Sequence, residues 1–509
     1  MRVEALGHAS WLVRGGIASV LFDPLLFGEH QDGLYDVYPP RALDLGSLPE
    51  VSALIVSHLH ADHFDPDSLA FFPKDMPVIA ADDPLLVGCL EGLGFEHILR
   101  AQNHVPIQVG DLSVTPTPAS PGAPEHGFLV RHEDVTLWNM VDTFPEPDDI
   151  ATVLEGLAKV DLLIAPWQPL RDSALSAGEP IQFPYEMYTQ ILQQIAQIKP
   201  EMLALGAAGF RARGAAAFTN HLMFPVTRER FIRDISQMVP ALTTACLTLD
   251  PGDALTLGPQ LVSVEKGLLP YCRTLEPYDD RELAFRPFEL GFEVKETRGS
   301  GFKRAECFEA VDAFFEQSLL DCVRDRARKF DLHHRFQVIR EYEVVFHGGD
   351  RAHWVLDFSG PRCELRRGGD PLATAHTVLP ASLLVGLIAG TITWDYAVLS
   401  AELRRYDQTY LSNPGGVSRP RPGALFDPLV LVFGTQRAKE YALALALERV
   451  QKDWQEASAA AATLPPPPVP AETDAVKVLD PSVIAMDVFQ KLGRPMPAER
   501  LDPRSESNP

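Results

Sequence analysis

Cysteine is scarce in this chain: six in 509 residues, at Cys89, Cys246, Cys272, Cys307, Cys322 and Cys363, with no CxxC pair. That scatter excludes the patterned disulfide framework of a small secreted chain and reads as buried free thiols in a reducing compartment. Positive charge is also in deficit, with 45 Lys and Arg against 69 Asp and Glu and a net charge of −24. The long-range field would repel phosphates, which argues against a general binder of nucleic acid or anionic membrane and leaves only a local basic pocket open. Long apolar runs are missing too. The longest, 381–392, is interrupted by Gly386 and Gly390 and falls short of the roughly 20 residues that span a bilayer, so no transmembrane segment is expected. The opening MRVEALGHASWLV has an acidic residue at position 4 and no cationic start before an apolar core, and reads as a strand rather than a signal peptide. The expectation is a cytoplasmic protein.

What is present is ordinary globular material, 46% apolar and 22% charged, in a chain long enough for two or three domains. Short β-like runs occur at 1–6, 10–13, 18–22, 53–56, 77–81, 112–117, 128–131, 135–140 and 161–165. Helical patterns follow at 83–93, 148–159 and 185–197. Hairpins giving way to strand-helix alternation predict α/β class, an αββα sandwich with helices outside two packed sheets, over 1–265. Residues 266–304 read as a linker or crossover, and 305–410 as an α+β accessory domain. That domain opens with a helix over 308–330, followed by β-like runs at 341–347 and 353–358, an apolar segment at 383–392, and a helical one to Tyr410. A Pro/Gly breaker at 412–422, within 411–462, precedes a long helix over 438–462. The Pro-rich remainder, 463–509, reads as a largely flexible tail with a short helix near 481–492.

The densest chemistry is Ser57-His58-Leu59-His60-Ala61-Asp62-His63, directly after the run 53–56. Four ligand types in six residues cannot share one face of a strand or helix, but they can converge on a loop. Imidazole and carboxylate suit Zn²⁺, Fe and Mn²⁺, and the absence of nearby Cys argues against a soft thiolate site. His58 and His60 could take one ion, and Asp62 and His63 a second about 3.5–4 Å away. Asp142 ends another β-like run and could bridge the two.

This HxHxDH pattern after a strand resembles the signature of the metallo-β-lactamase superfamily. Leu6-Gly7-His8-Ala9-Ser10, Leu21-Phe22-Asp23-Pro24 and Val160-Asp161-Leu162-Leu163-Ile164-Ala165-Pro166 resemble its branch related to L-ascorbate-6-phosphate lactonase. The resemblance covers about residues 1–240. It implies the αββα fold, a metal-activated hydroxide, and Asp62 as a ligand that also handles protons. The sequence departs from the pattern twice. A family histidine is expected near Pro118-Ala119-Ser120-Pro121, where the nearest is His126. Another is expected near 201–205, where Leu205-Gly206-Ala207-Ala208-Gly209 has none and His221 is the next candidate. His126 and His221 are therefore additional candidate ligands that could fold back, or else ordinary hydrogen-bonded histidines, and the metal count stays open at one or two ions. His8 could support the metal loop from beneath or simply pack its turn, and Asp23-Pro24 reads as a strand stop. Arg211 and Arg213 could hold a phosphate or carboxylate, or form a solvated face.

In the second unit, His353-Trp354-Val355-Leu356-Asp357-Phe358, Cys363-Glu364-Leu365 and the apolar segment 381–392 loosely resemble a sterol-carrier-protein-type domain. That resemblance implies an apolar tunnel, in a combination similar to that of alkylsulfatases. His333, His334 and His347 read as surface residues. The expected function is a metal-dependent hydrolase using a metal-bound hydroxide on an ester, lactone or phosphoester, with zinc, or else iron or manganese. The alternatives are a non-haem iron enzyme that activates oxygen on the same fold, and a binding protein with a residual metal site. The expected partner is a small-molecule substrate, not nucleic acid, and the 438–462 helix could pack on its own chain or mediate oligomerisation.

Overall fold

Leu12, Leu21, Leu54 and Val56 point to one side of their strands while Val13, Val20, Phe22 and Ile55 point to the other, and both sets are buried. A strand buried on both faces must sit inside a layered sheet. In the computed structural model these residues belong to an eight-stranded sheet running, edge to edge, Val262–Glu265, Ala254–Leu257, Arg2–Gly7, Ser10–Arg14, Ser19–Phe22, Ala53–Val56, Val78–Ala80, Ile98–Arg100. The structure describes residues 1–31, 33–120, 122–171, 181–258, 262–286, 304–346, 348–400, 402–421, 423–435 and 438.

A seven-stranded sheet packs on the first, in the order Ile107–Val109, Leu112–Thr117, Gly127–His132, Val135–Asn139, Leu162–Pro166, Met202–Gly206, Cys246–Leu247. The shared core joins Val3, Val20 and Ile55 of one sheet to Val114, Val130, Leu137 and Ile164 of the other. Each such aliphatic side chain contributes about 1.5–3 kcal/mol of burial. Outside the first sheet lie the helices Pro66–Ala70 and Pro84–Gly92. Asp65 and Asp83 cap them, each followed by a proline in the first turn, where the missing N–H costs nothing. Outside the second sheet lie Pro147–Leu154, Tyr185–Ile198 and Arg228–Met238. The expected αββα sandwich is the observed one.

Both sheets begin with antiparallel hairpins and end with parallel pairs. Ser19–Phe22 runs parallel to Ala53–Val56, with Phe22 opposite Ile55, and Val135–Asn139 runs parallel to Leu162–Pro166. Parallel neighbours end at the same edge, so the segments leaving them emerge side by side. That edge carries Asp23, the 57–63 loop and Asp142.

The stretch 266–286 is built into this layer: Cys272–Thr274 pairs with Arg41–Leu43. A five-stranded sheet follows, in the order Glu364–Arg367, Arg351–Asp357, Ile339–Val345, Ala375–Pro380, Arg404–Asp407. The helix expected over 308–330 is broken. An α-helix Arg304–Ala313 becomes a π-helix Phe314–Leu319, then α again over Leu320–Asp325 and 3₁₀ over Ala327–Phe330. Within the π segment Phe314 and Phe315 both face the core, Phe314 stacked on Phe433 at 5.1 Å and Phe315 on Trp354 at 4.9 Å. The helical reading to Tyr410 holds only for Trp394–Leu399, after which the chain adds the strand Arg404–Asp407 and a hairpin, Leu411–Asn413 with Gly416–Ser418. His333 is not a surface residue: it is fully buried, with Nε2 on the Phe426 carbonyl at 3.0 Å.

The described residues belong to one compact unit. His347, the 438–462 helix beyond Ala438, and the 463–509 tail lie outside the described residues. Among the described residues no helix is long and apolar enough to cross a membrane.

Candidate metal centre

Asp23 organises the site. It is fully buried, and its Oδ1 accepts the Ser57 backbone N–H at 2.8 Å while its Oδ2 accepts the Ser57 hydroxyl at 2.8 Å. The same Oδ2 lies 2.9 Å from His63 Nδ1. A carboxylate only accepts, so His63 carries its proton on Nδ1 and turns the Nε2 lone pair outward. Ser57 has spent its proton on Asp23, so its oxygen accepts from His58 Nδ1 at 3.0 Å. One buried carboxylate thus selects the Nε2 lone pair of both His58 and His63, which is how metal-binding imidazoles are usually oriented.

These lone pairs converge on Asp142. Its Oδ2 lies 3.4 Å from His63 Nε2 and 3.9 Å from His58 Nε2. Asp62 Oδ2 sits on the other side of His63 Nε2, at 3.6 Å. His60 is exposed and places Nδ1 2.8 Å from His58 Nε2. Two sets of ligand atoms lie within 4.8 Å of one another, His58/His63/Asp142 and His8/Asp62/His63. His63 belongs to both, whereas the sequence spacing had suggested separate ions for the pairs His58/His60 and Asp62/His63.

His8 is a neighbour of a different kind. Its Nδ1 accepts the Gly209 backbone N–H at 3.2 Å, which leaves the proton of the neutral ring on Nε2, 3.2 Å from Asp62 Oδ2. A protonated nitrogen is no metal donor, so in this tautomer His8 turns its Nε2–H towards the Asp62 carboxylate. The contact is too bent for a hydrogen bond, and His8 Nε2 counts among the buried nitrogens without one. Gly209 is required here because a Cβ would stand 2.7 Å from His8 N and 2.8 Å from its Cα.

Backbone strain gathers at the same edge. His8, Asp23, Val141, Ala207 and Ala208 all have positive φ, between 37° and 58°. For the β-branched Val141 this is a genuine outlier. Its N–H is held by Asn139 Oδ1 at 3.0 Å, and the twist aims the next residue, Asp142, at the histidines. Such strain persists where surrounding structure over-determines it, commonly at functional sites.

The electrostatics call for a cation. Burial opposes charge on His63, but Asp142 and Asp62, together with its hydrogen bond to Asp23, raise its pKa well above the ordinary value. Burial and the His63 charge push His58 down to about 4. Burial disfavours ionised Asp142 and Asp62, yet His63 outweighs it and holds both well below the usual carboxylate range. His63 Nε2 and Asp142 Oδ1 are buried without any hydrogen-bond partner. A proton or a metal ion at His63 Nε2 would answer the same field, and the donor set fits a metal.

Neither His126 nor His221 enters a ligand group among the described residues. His126 Nδ1 pairs with Asn103 Oδ1 at 2.9 Å, and His221 Nδ1 with the Ala284 carbonyl at 3.2 Å. Arg211 lies over the Tyr38 ring, and Arg213 is paired with Glu29 and Asp36, so both are committed within the fold. Asp23, read from sequence as a strand stop, is instead the orienting carboxylate. Its signal was an Asp at the end of a run destined to lie parallel to 53–56, and that pairing is invisible in one sequence. His30, also missed, is buried with both ring nitrogens unpartnered, its rings stacked with His8 at 6.3 Å. Burial, then His8, push its pKa down to about 4.

Residues 19–205 match the family model of the beta-lactamase superfamily domain. A Mycolicibacterium smegmatis protein named as a Rieske 2Fe-2S iron-sulfur protein is 32% identical over 184 residues, covering 33% of this chain and 36% of that protein. A Mycobacterium tuberculosis protein of the same name is 31% identical over 184 residues, with the same coverage. The match therefore spans little more than a third of these relatives' length. Among solved structures, an isothiocyanate hydrolase from Delia radicum gut bacteria is 19% identical, covering 51% of this chain and 99% of that one at a TM-score of 0.37. The diiron β-hydroxylase CmlA from Streptomyces venezuelae is 18% identical, covering 41% of this chain and 45% of that one at 0.32.

Proposed function

We propose that the sandwich is a metal-dependent hydrolase acting on an ester, lactone or phosphoester, with His58, His60, Asp62, His63 and Asp142 as its ligand set. The observation that carries this reading is the convergence of His58 Nε2, His63 Nε2 and Asp142 Oδ2 within 4.8 Å, with buried ligand atoms left unpartnered. A bound divalent ion supplies a Lewis acid and lowers the pKa of a coordinated water towards about 7.

The protein's own groups do the rest. Asp23, directly and through Ser57, keeps two imidazole lone pairs directed inward. Asp62 stays ionised at neutral pH, and its Oδ2 can orient a water proton while His8 fixes its position. His60 is exposed to solvent beside His58.

One observation favours a second reading. His58, His63 and Asp142 make two imidazoles and one carboxylate, the donor set of non-haem iron oxygenases. The Rieske cluster named for the relatives needs two cysteines with two histidines. Neither ligand group among the described residues contains a cysteine, and the cysteines form no disulfide. The test is elemental analysis of the purified protein, followed by assay of ester, lactone and phosphoester substrates with and without oxygen. Zinc with anaerobic turnover supports the hydrolase; iron with oxygen consumption supports the oxygenase; absence of bound metal defeats both.

A further inference from the structure

A second polar cavity, of ≈ 280 Å³, lies between the sandwich and the five-stranded sheet and shares no residue with the metal cluster. Its volume is close to the lower end of small-molecule sites, about 300 Å³. The sheet explains why it is polar. Residues of the strand Ile339–Val345 alternate: Tyr342 and Val344 enter the accessory core, and Glu341 and Glu343 face the sandwich. His376 is the cross-strand partner of Glu341, and His353 that of Glu343, so the acids and imidazoles share this face.

The acidic groups of the lining are already committed. Glu341 binds His353 Nδ1 at 2.7 Å and the Asp370 N–H at 2.9 Å. Glu343 is paired with Arg351, and with Arg286 at 3.9 Å. Asp370 takes Arg366 at 2.6 Å and the Leu372 N–H at 2.8 Å.

The uncommitted groups are donors. Arg230 is 2% exposed; its Nε binds Tyr410 Oη and its Nη2 the Gln408 carbonyl, while Nη1 is buried with no partner. An unpaired guanidinium N–H in a protein interior is unfavourable, and Arg230 lines the cavity. His376 makes no hydrogen bond among the described residues; it stacks on Tyr406 and faces Glu341, and burial lowers its pKa, so the neutral ring has one N–H to give. His353 has used Nδ1 alone. Acids satisfied and donors spare is the balance of a site for an oxyanion, and guanidinium is the group best matched to carboxylate or phosphate.

We propose that this cavity binds a small-molecule oxyanion, a carboxylate or a phosphate ester, through Arg230, His376 and His353, at a site separate from the metal centre.

The test is calorimetric titration of the full chain with sodium phosphate and, separately, sodium succinate at constant ionic strength. Saturable binding of at least one, with a dissociation constant at or below about 1 mM, is expected, and the preferred probe identifies the class. His376→Ala should weaken it at least tenfold, with the fold verified by circular dichroism, and Arg230→Lys should do the same if it folds. Asp142→Asn should leave it unchanged. The proposal is overturned if neither probe saturates, if folded His376→Ala binds as well as the parent, or if Asp142→Asn abolishes binding. None of these outcomes bears on metal content, so the hydrolase reading stands or falls independently.

Discussion

Asp23 Oδ2 and His63 Nδ1 lie 2.9 Å apart in the fully buried floor of the metal loop, 40 residues separated in sequence. Through Ser57 the same carboxylate reaches His58, so two candidate ligand imidazoles owe their orientation to one acid.

Asp23→Asn keeps the shape but can donate to His63, which allows the wrong tautomer. Metal affinity should fall about 10–100-fold. Competition against a chromogenic chelator reads this directly, and an affinity within twofold of the parent would contradict the role assigned to Asp23.

His58→Ala/His60→Ala removes two of the proposed ligands. Metal per chain, measured by plasma mass spectrometry after dialysis, should drop by at least half, with hydrolysis lost in parallel. Full metal retention would mean that the ions sit elsewhere.

Gly209→Ala forces a methyl to within 2.7 Å of His8 N. Because the obstacle is backbone, the fold must shift, at a cost of about 1–3 kcal/mol. Urea denaturation measures the loss. An unchanged midpoint would show that the 207–209 turn yields freely and does not hold His8.

Tyr410 Oη accepts from Arg230 Nε at 2.8 Å and donates to Asp234, while Tyr188 reaches Asp234 at 3.0 Å. Tyr410→Phe leaves Arg230 and Asp234 short of a partner in the packing between the sandwich and the accessory sheet. The expected destabilisation is about 1–3 kcal/mol, seen in thermal and chemical melts. A neutral result would make the network dispensable.

His333 lies outside the metal cluster and is pushed down to about 4, chiefly by burial. Between about pH 4 and 6.5 the unfolded chain binds a proton there that the folded chain refuses, so stability falls as pH drops through that window. His333→Gln should flatten this part of the pH–stability curve. A mutant curve parallel to the parent's would exclude the contribution.

The candidate ligand loop stood out because four donor side chains in six residues follow a short apolar strand. Asp142 was legible as a strand-end acid. The sandwich was legible from hairpins passing into strand-helix alternation, since periodicity is local. The break at Phe314–Leu319 was not, because the local apolar pattern does not mark where the winding changes from α to π. Asp23 and His8 were underrated because their roles depend on which strands lie side by side and on where the 207–209 turn comes down.

Local order therefore determined which atoms could bind a cation, since donor type and strand-ending turns are written in neighbouring residues. Only the folded arrangement decided which lone pairs face inward, that His126 and His221 stay with Asn103 and Ala284, and that Arg230 is left with an unanswered N–H. Those outcomes depend on contacts between residues tens to hundreds of positions apart, and such contacts are set by packing and burial rather than by sequence spacing.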